Sequence, residues 1–498
     1  MIKLSWYNVA IALVIGLGGF SYGFGSAVFV TSLGQPGFYM YYKLDPSSEY
    51  TATVLGAVNA VYFTGAALGS IGQCYLADWL GRKKALAIAG VMGTIGSALV
   101  AGSVKVGMLI AVRVLQGAGL GMLLTLVPLY LSEVAPPHRR GFLTGLTVLS
   151  FGTGYVISGW IAIGCYHASN LTVAWRTPLA LACIPPIALL IGLSFVPETP
   201  RFLVWKGRLE EAWTVTQKLH HDPADPHDES AHAEFTQIVR QVEFDKEMNV
   251  TFYQMFKKPS WRKRSLSAMF LTFAAQCTGI YGITNYLPVI FQSLGMTGDA
   301  PLLLYAGHST LGTVAVLVSI IIVDKVGRRT LIVWGFLALA MVLLAEALLQ
   351  WKYIGTDDKA GNAACILFMF IYIVVFQCVD APAFAWTAEI FPTNLRAKGV
   401  SLAIFSLFVG TITFTAPSPL AFRNIGWHMF LLYFALAIVA SIVSYFYIVE
   451  TKNLPMEEIG ALFGDEVVVH LTADGHGLVE DKGGSEHIES SAAEPGKV

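Results

Sequence analysis

Long apolar stretches, separated by short polar turns, follow one another along most of the chain. About twelve of them reach roughly 20 residues, the length at which a helix crosses ~30 Å of hydrocarbon. Their approximate bounds are 7–30, 52–76, 85–104, 107–132, 142–165, 177–196, 266–293, 302–323, 330–350, 363–390, 399–420 and 427–449. Because a bilayer offers no water to satisfy backbone polar groups, each stretch is predicted to be a membrane-spanning α-helix.

Two segments interrupt this pattern. The first is charged and rich in His and Asp, and within it Leu209–His220 and His232–Lys246 have the spacing of short amphipathic helices. The second, at the C-terminus, is rich in Gly, Ser and Glu without periodicity, so it is predicted to be largely disordered. The chain is therefore predicted to be an all-α membrane protein whose parts are a six-helix bundle (1–196), a cytoplasmic helical linker (197–264), a second six-helix bundle (265–450) and a cytoplasmic tail (451–498).

Composition agrees with lipid as the main solvent. Hydrophobic residues make up 55% of the 498 residues and charged residues only 13%, whereas about a quarter of a soluble domain is charged. The formal net charge of −1 gives no basic field for nucleic acid. The six cysteines show no CxxC spacing, and the sequence has no phosphate-binding loop and no His/Cys cluster. No metal, cofactor or enzymatic activity is therefore predicted.

The placement of basic residues predicts the orientation. Lys and Arg concentrate in alternate short loops, at Arg82-Lys83-Lys84, Arg139-Arg140, Lys325 with Arg328 and Arg329, and Arg396 with Lys398. By the positive-inside rule these loops face the cytoplasm. An even number of spans then puts both termini and the central linker on the same side, and we expect a plasma-membrane location.

Three motifs occur once in each half of the chain, in the same order. They are Asp78-x-x-Gly81-Arg82 with Asp324-x-x-Gly327-Arg328, Glu133-x-x-Pro136 with Glu389-x-x-Pro392, and Glu198-Thr199 with Glu450-Thr451. Such an internal repeat predicts two related six-helix bundles with a solute pathway between them.

The repeated motifs supply acids and bases at the predicted cytoplasmic ends of the helices. We expect ion pairs that form when these ends close, among Asp78, Arg82, Glu133, Arg140, Glu198, Arg201, Asp324, Arg328, Arg329, Glu389, Arg396 and Glu450. The alternative is that these charges only anchor helix ends, but anchoring does not explain why acid and base repeat together.

The ordered set of motifs resembles the sugar porter family of the major facilitator superfamily, and most of all its fungal members. The most specific pieces are Arg113-x3-Gly117-x-Gly119-x-Gly121, Pro128-x-Tyr130-x2-Glu133-x-Ala135-Pro136, Pro197-Glu198-Thr199-Pro200-Arg201 and Asn424-Ile425-Gly426-Trp427. The resemblance implies the major facilitator fold and alternating access for a sugar. We expect a monomer whose partners are a sugar and the lipid bilayer, without nucleic acid.

Several positions depart from the family's pattern. Gly25 stands where many proton symporters of the family carry an aspartate in the first helix. Val148 replaces a usual glutamine, and Tyr281 replaces an asparagine. The two tryptophans that the family places along the pore become Phe384 and Phe408.

A sugar site needs hydrogen-bonding groups, because each hydroxyl left unpaired on desolvation costs ~1–3 kcal/mol. It also gains from an aromatic face against the sugar ring. The candidate substrate-binding residues are Tyr22, Ser26, Gln276, Tyr281, Asn285, Asp380, Phe384, Phe408 and Thr411. The alternative for these side chains is ordinary packing between helices.

Two ionisable residues are candidates for coupling to protons, Arg113 and Asp380. The acid that would pair with Arg113 in a symporter is replaced by Gly25, which favours facilitated diffusion. Three alternatives remain at this point: a proton symporter of a sugar, polyol or quinate in which Asp380 carries the proton, direct binding of a solute hydroxyl by Asp380, and a sugar sensor that does not transport.

Overall fold

A computed structural model describes residues 6–134, 140–220, 228–248, 251–356, 358–452, 459–460, 462–464, 469–471, 478–482 and 485–489. The helices are α1 (Trp6–Leu33), α2 (Pro36–Tyr42), α3 (Glu49–Leu80), α4 (Arg82–Ala101), α5 (Val106–Val134), α6 (Arg140–Tyr166), α7 (Leu171–Leu181), α8 (Ile184–Gly192), α9 (Pro200–Trp205), α10 (Leu209–His220), α11 (Glu229–Met248), α12 (Phe252–Lys257), α13 (Pro259–Cys277), α14 (Ile280–Thr284), α15 (Leu287–Ser293), α16 (Ala300–Val326), α17 (Arg328–Tyr353), α18 (Lys359–Glu389), α19 (Thr393–Thr415), α20 (Ser418–Asn424) and α21 (His428–Tyr447).

Within these residues, 12 helical segments are long and apolar enough to cross a membrane. Some spans are a single helix, such as α18 with Pro382 inside it. Others are interrupted. The seventh span was expected to be one helix, but α13 ends at Cys277 and α14 begins only after Gly279, whose φ of 85° favours glycine. The interruption places polar residues of this span beside a central cavity.

Each half of the chain has its own apolar core, and the two halves meet along two pairs of helices. In one pair α3 packs on α19, where the Gln73 side chain donates to the Ser401 hydroxyl at 2.7 Å. In the other α6 packs on α16, where Trp160 Nε1 donates to the Thr310 hydroxyl at 3.3 Å. The two cores touch each other, since Ile404, Leu407 and Phe408 of α19 are buried in the cluster of the first half and Val30 of α1 in that of the second.

The linker between the halves is helical, as predicted. The amphipathic helices expected at 209–220 and 232–246 are present as α10 and α11, and the second is longer at both ends. They enclose a small apolar cluster with α9. Asn8 Nδ2 donates to the Leu219 carbonyl at 2.9 Å, so the linker is tied to the start of α1.

The C-terminal tail contains short strands, and the expectation that it is largely disordered stays a prediction. Its described parts form a three-stranded antiparallel sheet, with β1 (Val469–Leu471), β2 (Leu478–Lys482) and β3 (Ser485–Glu489) in that order. The pairing of β2 with β3 ends at Lys482 and Ser485. Only two residues separate these strands in the sequence, which is the loop length of a tight hairpin.

Candidate functional site

A central cavity lies between the two halves and contains about 960 Å³ of empty space, part of it open to solvent. Its wall includes α1, α5 and α6 of the first half and α13, α14, α16, α18 and α19 of the second. The lining residues are Tyr22, Leu124, Val148, Phe151, Gly152, Tyr155, Gln276, Ile280, Tyr281, Thr284, Asn285, His308, Ser309, Gly312, Thr313, Val316, Ile373, Phe376, Gln377, Asp380, Phe384 and Leu407.

Three tyrosine hydroxyls from both halves meet at this cavity. The Tyr281 hydroxyl lies 3.4 Å from the hydroxyls of Tyr22 and of Tyr155. Tyr155 also donates to the Ser26 hydroxyl at 3.2 Å. Because a phenol hydroxyl both donates and accepts, the cluster can exchange these long contacts for hydrogen bonds to a polyhydroxylated solute.

Amide side chains of the seventh span form a second polar group. Gln276 lines the cavity and its Oε1 accepts from the Thr411 hydroxyl at 3.3 Å. Asn285 also lines it, and its buried Nδ2 has no hydrogen-bond partner among the described residues. A buried amide donor without a partner costs free energy, so Asn285 is suited to bind a solute oxygen.

Asp380 is the only acidic or basic side chain, other than histidine, among the described residues that line the cavity. It is partly exposed there, and no hydrogen bond or ion pair joins it to the described residues. Gln377 lies one turn earlier on the same helix and also faces the cavity. No group of three or more metal-ligating side chains occurs in the described part of the chain.

The aromatic candidates take different places. Phe384 lines the cavity together with Phe151 and Phe376. Phe408 is fully buried behind the wall, where its ring lies 6.3 Å from the Tyr22 ring. Phe408 therefore supports Tyr22, and Phe384 is the aromatic face open to a solute.

Arg113, the candidate partner of a proton-carrying acid, lies away from Asp380 in the first half. Its guanidinium lies over the rings of Phe29 and Tyr62, at 4.6 and 4.3 Å from their centroids. Its Nη1 donates to Gln116 Oε1 at 2.9 Å. The cation is thus stabilised by π faces and an amide.

The repeated acid–base motif of the first half, predicted to face the cytoplasm, forms one compact network. Arg82 donates from Nε and Nη2 to Glu133 Oε1 at 3.2 and 3.0 Å, and it lies 3.4 Å from Asp78. Glu198 accepts from the backbone N–H groups of Arg82 and Lys83, which are the first residues of α4. A carboxylate at that position satisfies free N–H groups and complements the helix dipole.

The second half repeats this network. Arg328 donates from Nε and Nη2 to Glu389 Oε1 at 3.2 and 2.9 Å and lies 2.8 Å from Asp324. Glu450 accepts from the backbone N–H groups of Arg328 and Arg329, at the start of α17. Each of these ion pairs joins residues of the same half.

The remaining predicted cytoplasmic residues are less completely defined. Arg396 Nη2 donates to the Phe391 carbonyl at 3.4 Å, and Arg329 Nη2 donates to the Tyr445 carbonyl at 2.7 Å. Arg201 follows the start of α9. The side chain of Arg140 lies outside the described residues. Ion pairs that form only on closure stay a prediction.

The cavity thus brings together Tyr22, Gln276, Tyr281, Asn285, Asp380 and Phe384, whereas Ser26, Phe408 and Thr411 lie directly behind them. Sequence reasoning missed Tyr155 and Gln377. A signal existed for both: Tyr155 is seven residues after Val148 and hence on the same helix face, and Gln377 is three residues before Asp380.

Comparisons with known proteins agree on one family. The sequence profile described as "Sugar (and other) transporter" matches residues 11–463. The MFS-type transporter criB of Aspergillus cristatus is 29% identical over 462 residues, covering 92% of this chain and 94% of that protein. Sugar transport protein 13 of Arabidopsis thaliana is 33% identical over 399 residues, covering 77% and 73%.

Solved structures show the same fold. The proton:xylose symporter XylE of E. coli, bound to 6-bromo-6-deoxy-D-glucose, superimposes with a TM-score of 0.77 at 23% identity. The alignment covers 93% of this chain and 100% of the XylE chain. At this identity the likeness establishes the major facilitator fold.

Proposed function

The chain belongs to the sugar (and other) transporter family, and on that premise we propose that it carries a monosaccharide across the membrane by alternating access. The observation that carries the proposal is the central cavity, whose wall is shared by both halves. If the halves rock against each other, this cavity opens to one side of the membrane at a time.

The chemistry of the cavity suits a sugar. The hydroxyls of Tyr22, Tyr155 and Tyr281 and the amides of Gln276 and Asn285 offer donors and acceptors for ring hydroxyls. The phenylalanine rings of the lining can pack against the C–H face of a pyranose. An anionic cyclic acid such as quinate is less suited, since no Lys or Arg is among the described lining residues.

The proposed mode is facilitated diffusion. A Cβ on Gly25 would collide with Leu120 and come within 4.0 Å of Gln116, and Arg113 is held by aromatic rings and by that same Gln116. The first half therefore has no acid–base pair at this position that could take up and release a proton.

Uptake of labelled hexoses, pentoses, disaccharides and quinate into transporter-deficient cells tests the proposal. We expect monosaccharide uptake that equilibrates without accumulating and does not respond to a protonophore. Binding without flux would instead indicate a sensor. Tyr281→Phe should weaken uptake, whereas Tyr445→Phe, at an exposed position outside the cavity, is the matched control.

Proton symport is the second candidate because Asp380 presents an unpartnered carboxylate to the cavity. Accumulation that collapses with a protonophore would favour it. In that case Asp380→Asn should abolish accumulation and spare exchange of labelled for unlabelled sugar.

Location and assembly complete the proposal: a multi-pass protein of the plasma membrane, functional as a monomer, with both termini in the cytoplasm. The basic residues of the Arg82 and Arg328 turns support this orientation through the positive-inside rule. Protease accessibility of epitope tags at either terminus, in sealed and permeabilised cells, tests the orientation.

A further inference from the structure

A single acidic group stands in the solute cavity without a counter-charge. Asp380 lines the cavity and is partly exposed in it, and no ion pair or hydrogen bond joins it to the described residues. A charge at membrane depth is energetically unfavourable, so an ionisable group in this position marks a candidate functional site.

The neighbours of Asp380 do not neutralise it. Tyr22 and Tyr155 line the same cavity, but a phenol hydroxyl carries no positive charge. His308 lines the same cavity, yet it is almost fully buried and its ring packs edge-on against Phe370. Arg113, a buried cation of the first half, does not line the cavity, and its guanidinium lies over the rings of Phe29 and Tyr62.

The counter-charge can therefore come from the solute. A hydroxyl that donates to Asp380 forms a useful hydrogen bond, but a protonated amine forms a charge-assisted one, which is about twice as strong. A solute carboxylate would be repelled by Asp380, and no described lining residue is a Lys or Arg that could compensate.

We propose that Asp380 is a specificity-determining residue that selects protonated amino sugars over the parent neutral sugars and excludes sugar acids. This inference rests on the proposed sugar transport and names its substrate class. A cationic solute carried without a proton moves one positive charge per cycle, so its uptake is driven by a membrane potential that is negative inside. Uptake of the neutral parent sugar moves no net charge.

The test uses the full-length protein in proteoliposomes, with glucose, glucosamine, N-acetylglucosamine and gluconate at a pH that keeps the amine protonated. We expect glucosamine to compete about tenfold better than glucose, since one charge-assisted hydrogen bond replaces a neutral one. N-acetylglucosamine, which has no cation, should show no advantage, and gluconate should not compete.

Variants then assign the preference to one residue. Asp380→Asn should bring glucosamine and glucose to within about twofold of each other. Glu346→Gln is the matched control: it removes another buried carboxylate of the second half, one that accepts from Gln350 and does not line the cavity. The control should keep the full preference.

The wild-type protein gives a second readout that needs no variant. An inside-negative potassium diffusion potential should accelerate glucosamine uptake several-fold and leave glucose uptake unchanged. Glucose transport without any preference for glucosamine, or an unchanged preference in Asp380→Asn, would overturn the inference and leave sugar transport standing. Absence of flux for every sugar would instead refute the proposed function.

Discussion

The Arg82 and Arg328 networks have nearly the same geometry but different exposure to solvent. The Arg82–Glu133 contact measures 3.0 Å and the Arg328–Glu389 contact 2.9 Å. The side chain of Glu133 is 7% exposed, however, whereas that of Glu389 is 28% exposed. The same atoms at the same distances therefore sit in two different dielectric environments.

A repeated motif can therefore have the same hydrogen-bond geometry in both halves and still contribute differently to the stability of each half. A charge pair that water reaches gains little, because solvent screens it and can replace either partner. A pair shielded from water is expensive to break, since the remaining charge stays buried without compensation. The network of the first half should thus be the more sensitive one.

Removing the arginines should give the largest effect and the clearest asymmetry. Arg82→Ala leaves the Glu133 carboxylate buried without its partner, and it should lower the free energy of unfolding by about 3–5 kcal/mol. Arg328→Ala leaves the Glu389 carboxylate in contact with water, and it should lower the free energy of unfolding by about 1–3 kcal/mol. Thermal unfolding of the two variants in the same detergent measures the difference.

Arg82→Lys and Arg328→Lys serve as controls for charge alone. Lysine keeps the positive charge but cannot reproduce the two N–H bonds to one carboxylate. Equal losses for Arg82→Ala and Arg328→Ala would show that exposure does not set the energy of these networks.

The turn glycines should give the next largest effect, and here the halves should behave alike. Gly81 has φ 97° and ψ 163°, and Gly327 has φ 107° and ψ 154°. Residues other than glycine adopt this backbone region only at a conformational cost of about 1–3 kcal/mol. An added Cβ would also meet the carboxylate of Glu198 in one turn and of Glu450 in the other.

Gly81→Ala and Gly327→Ala should therefore lower the unfolding temperature by similar amounts. Gly207→Ala is an instructive control, because this glycine also has a positive φ of 76° but its Cβ would meet nothing. It isolates the backbone cost from the steric cost. A marked difference between the two turn variants would mean that the halves differ in backbone strain as well as in solvation.

The fold could be predicted to a large extent from the sequence, and for a simple reason. Lipid forces each long apolar stretch into a helix, so the spans followed from length and hydropathy, and the predicted family and major facilitator fold are confirmed. The break after Cys277 was not predicted, because an apolar window does not reveal where Gly279 interrupts a helix. The short strands of the tail were not predicted, because its apolar residues show no clear periodicity.

The site was only partly predictable. Residues at motif positions could be found, since the resemblance pointed to Gln276, Tyr281 and Phe384. Which of them face the cavity depends on helix rotation, and this is set by packing between the bundles. That is why Phe408 proved to support the wall, and why Tyr155 became visible only when α6 was placed beside α1.

The protonation state of Glu198 should have a smaller effect on the stability of the first half. Burial raises the pKa of the Glu198 carboxyl above its usual range, although backbone N–H groups of Thr199 and Lys83 act in the opposite direction. The proton of the Glu198 carboxyl is therefore bound more tightly in the folded protein than in the unfolded chain. Its contribution to stability must fall as pH rises from ~4.3 through the raised pKa.

The measurement is the difference in unfolding temperature between the wild type and Glu198→Gln, followed from acidic to neutral pH. That difference should shift against the wild type as pH rises. A shift in its favour would mean that the backbone hydrogen bonds to the ionised carboxylate outweigh its burial.

The outer aspartates should give the smallest effect in both halves. The Asp78 side chain is 53% exposed and lies 3.4 Å from Arg82, and the Asp324 side chain is 73% exposed and lies 2.8 Å from Arg328. Exposed ion pairs contribute about 0.2–1 kcal/mol and weaken with salt. Asp78→Asn and Asp324→Asn should therefore each lower stability by less than about 1 kcal/mol, and raising the salt concentration should shrink even that loss. If Asp324→Asn, despite its shorter contact, proves as harmless as Asp78→Asn, then exposure rather than distance governs these networks from their inner pairs to their outer ones.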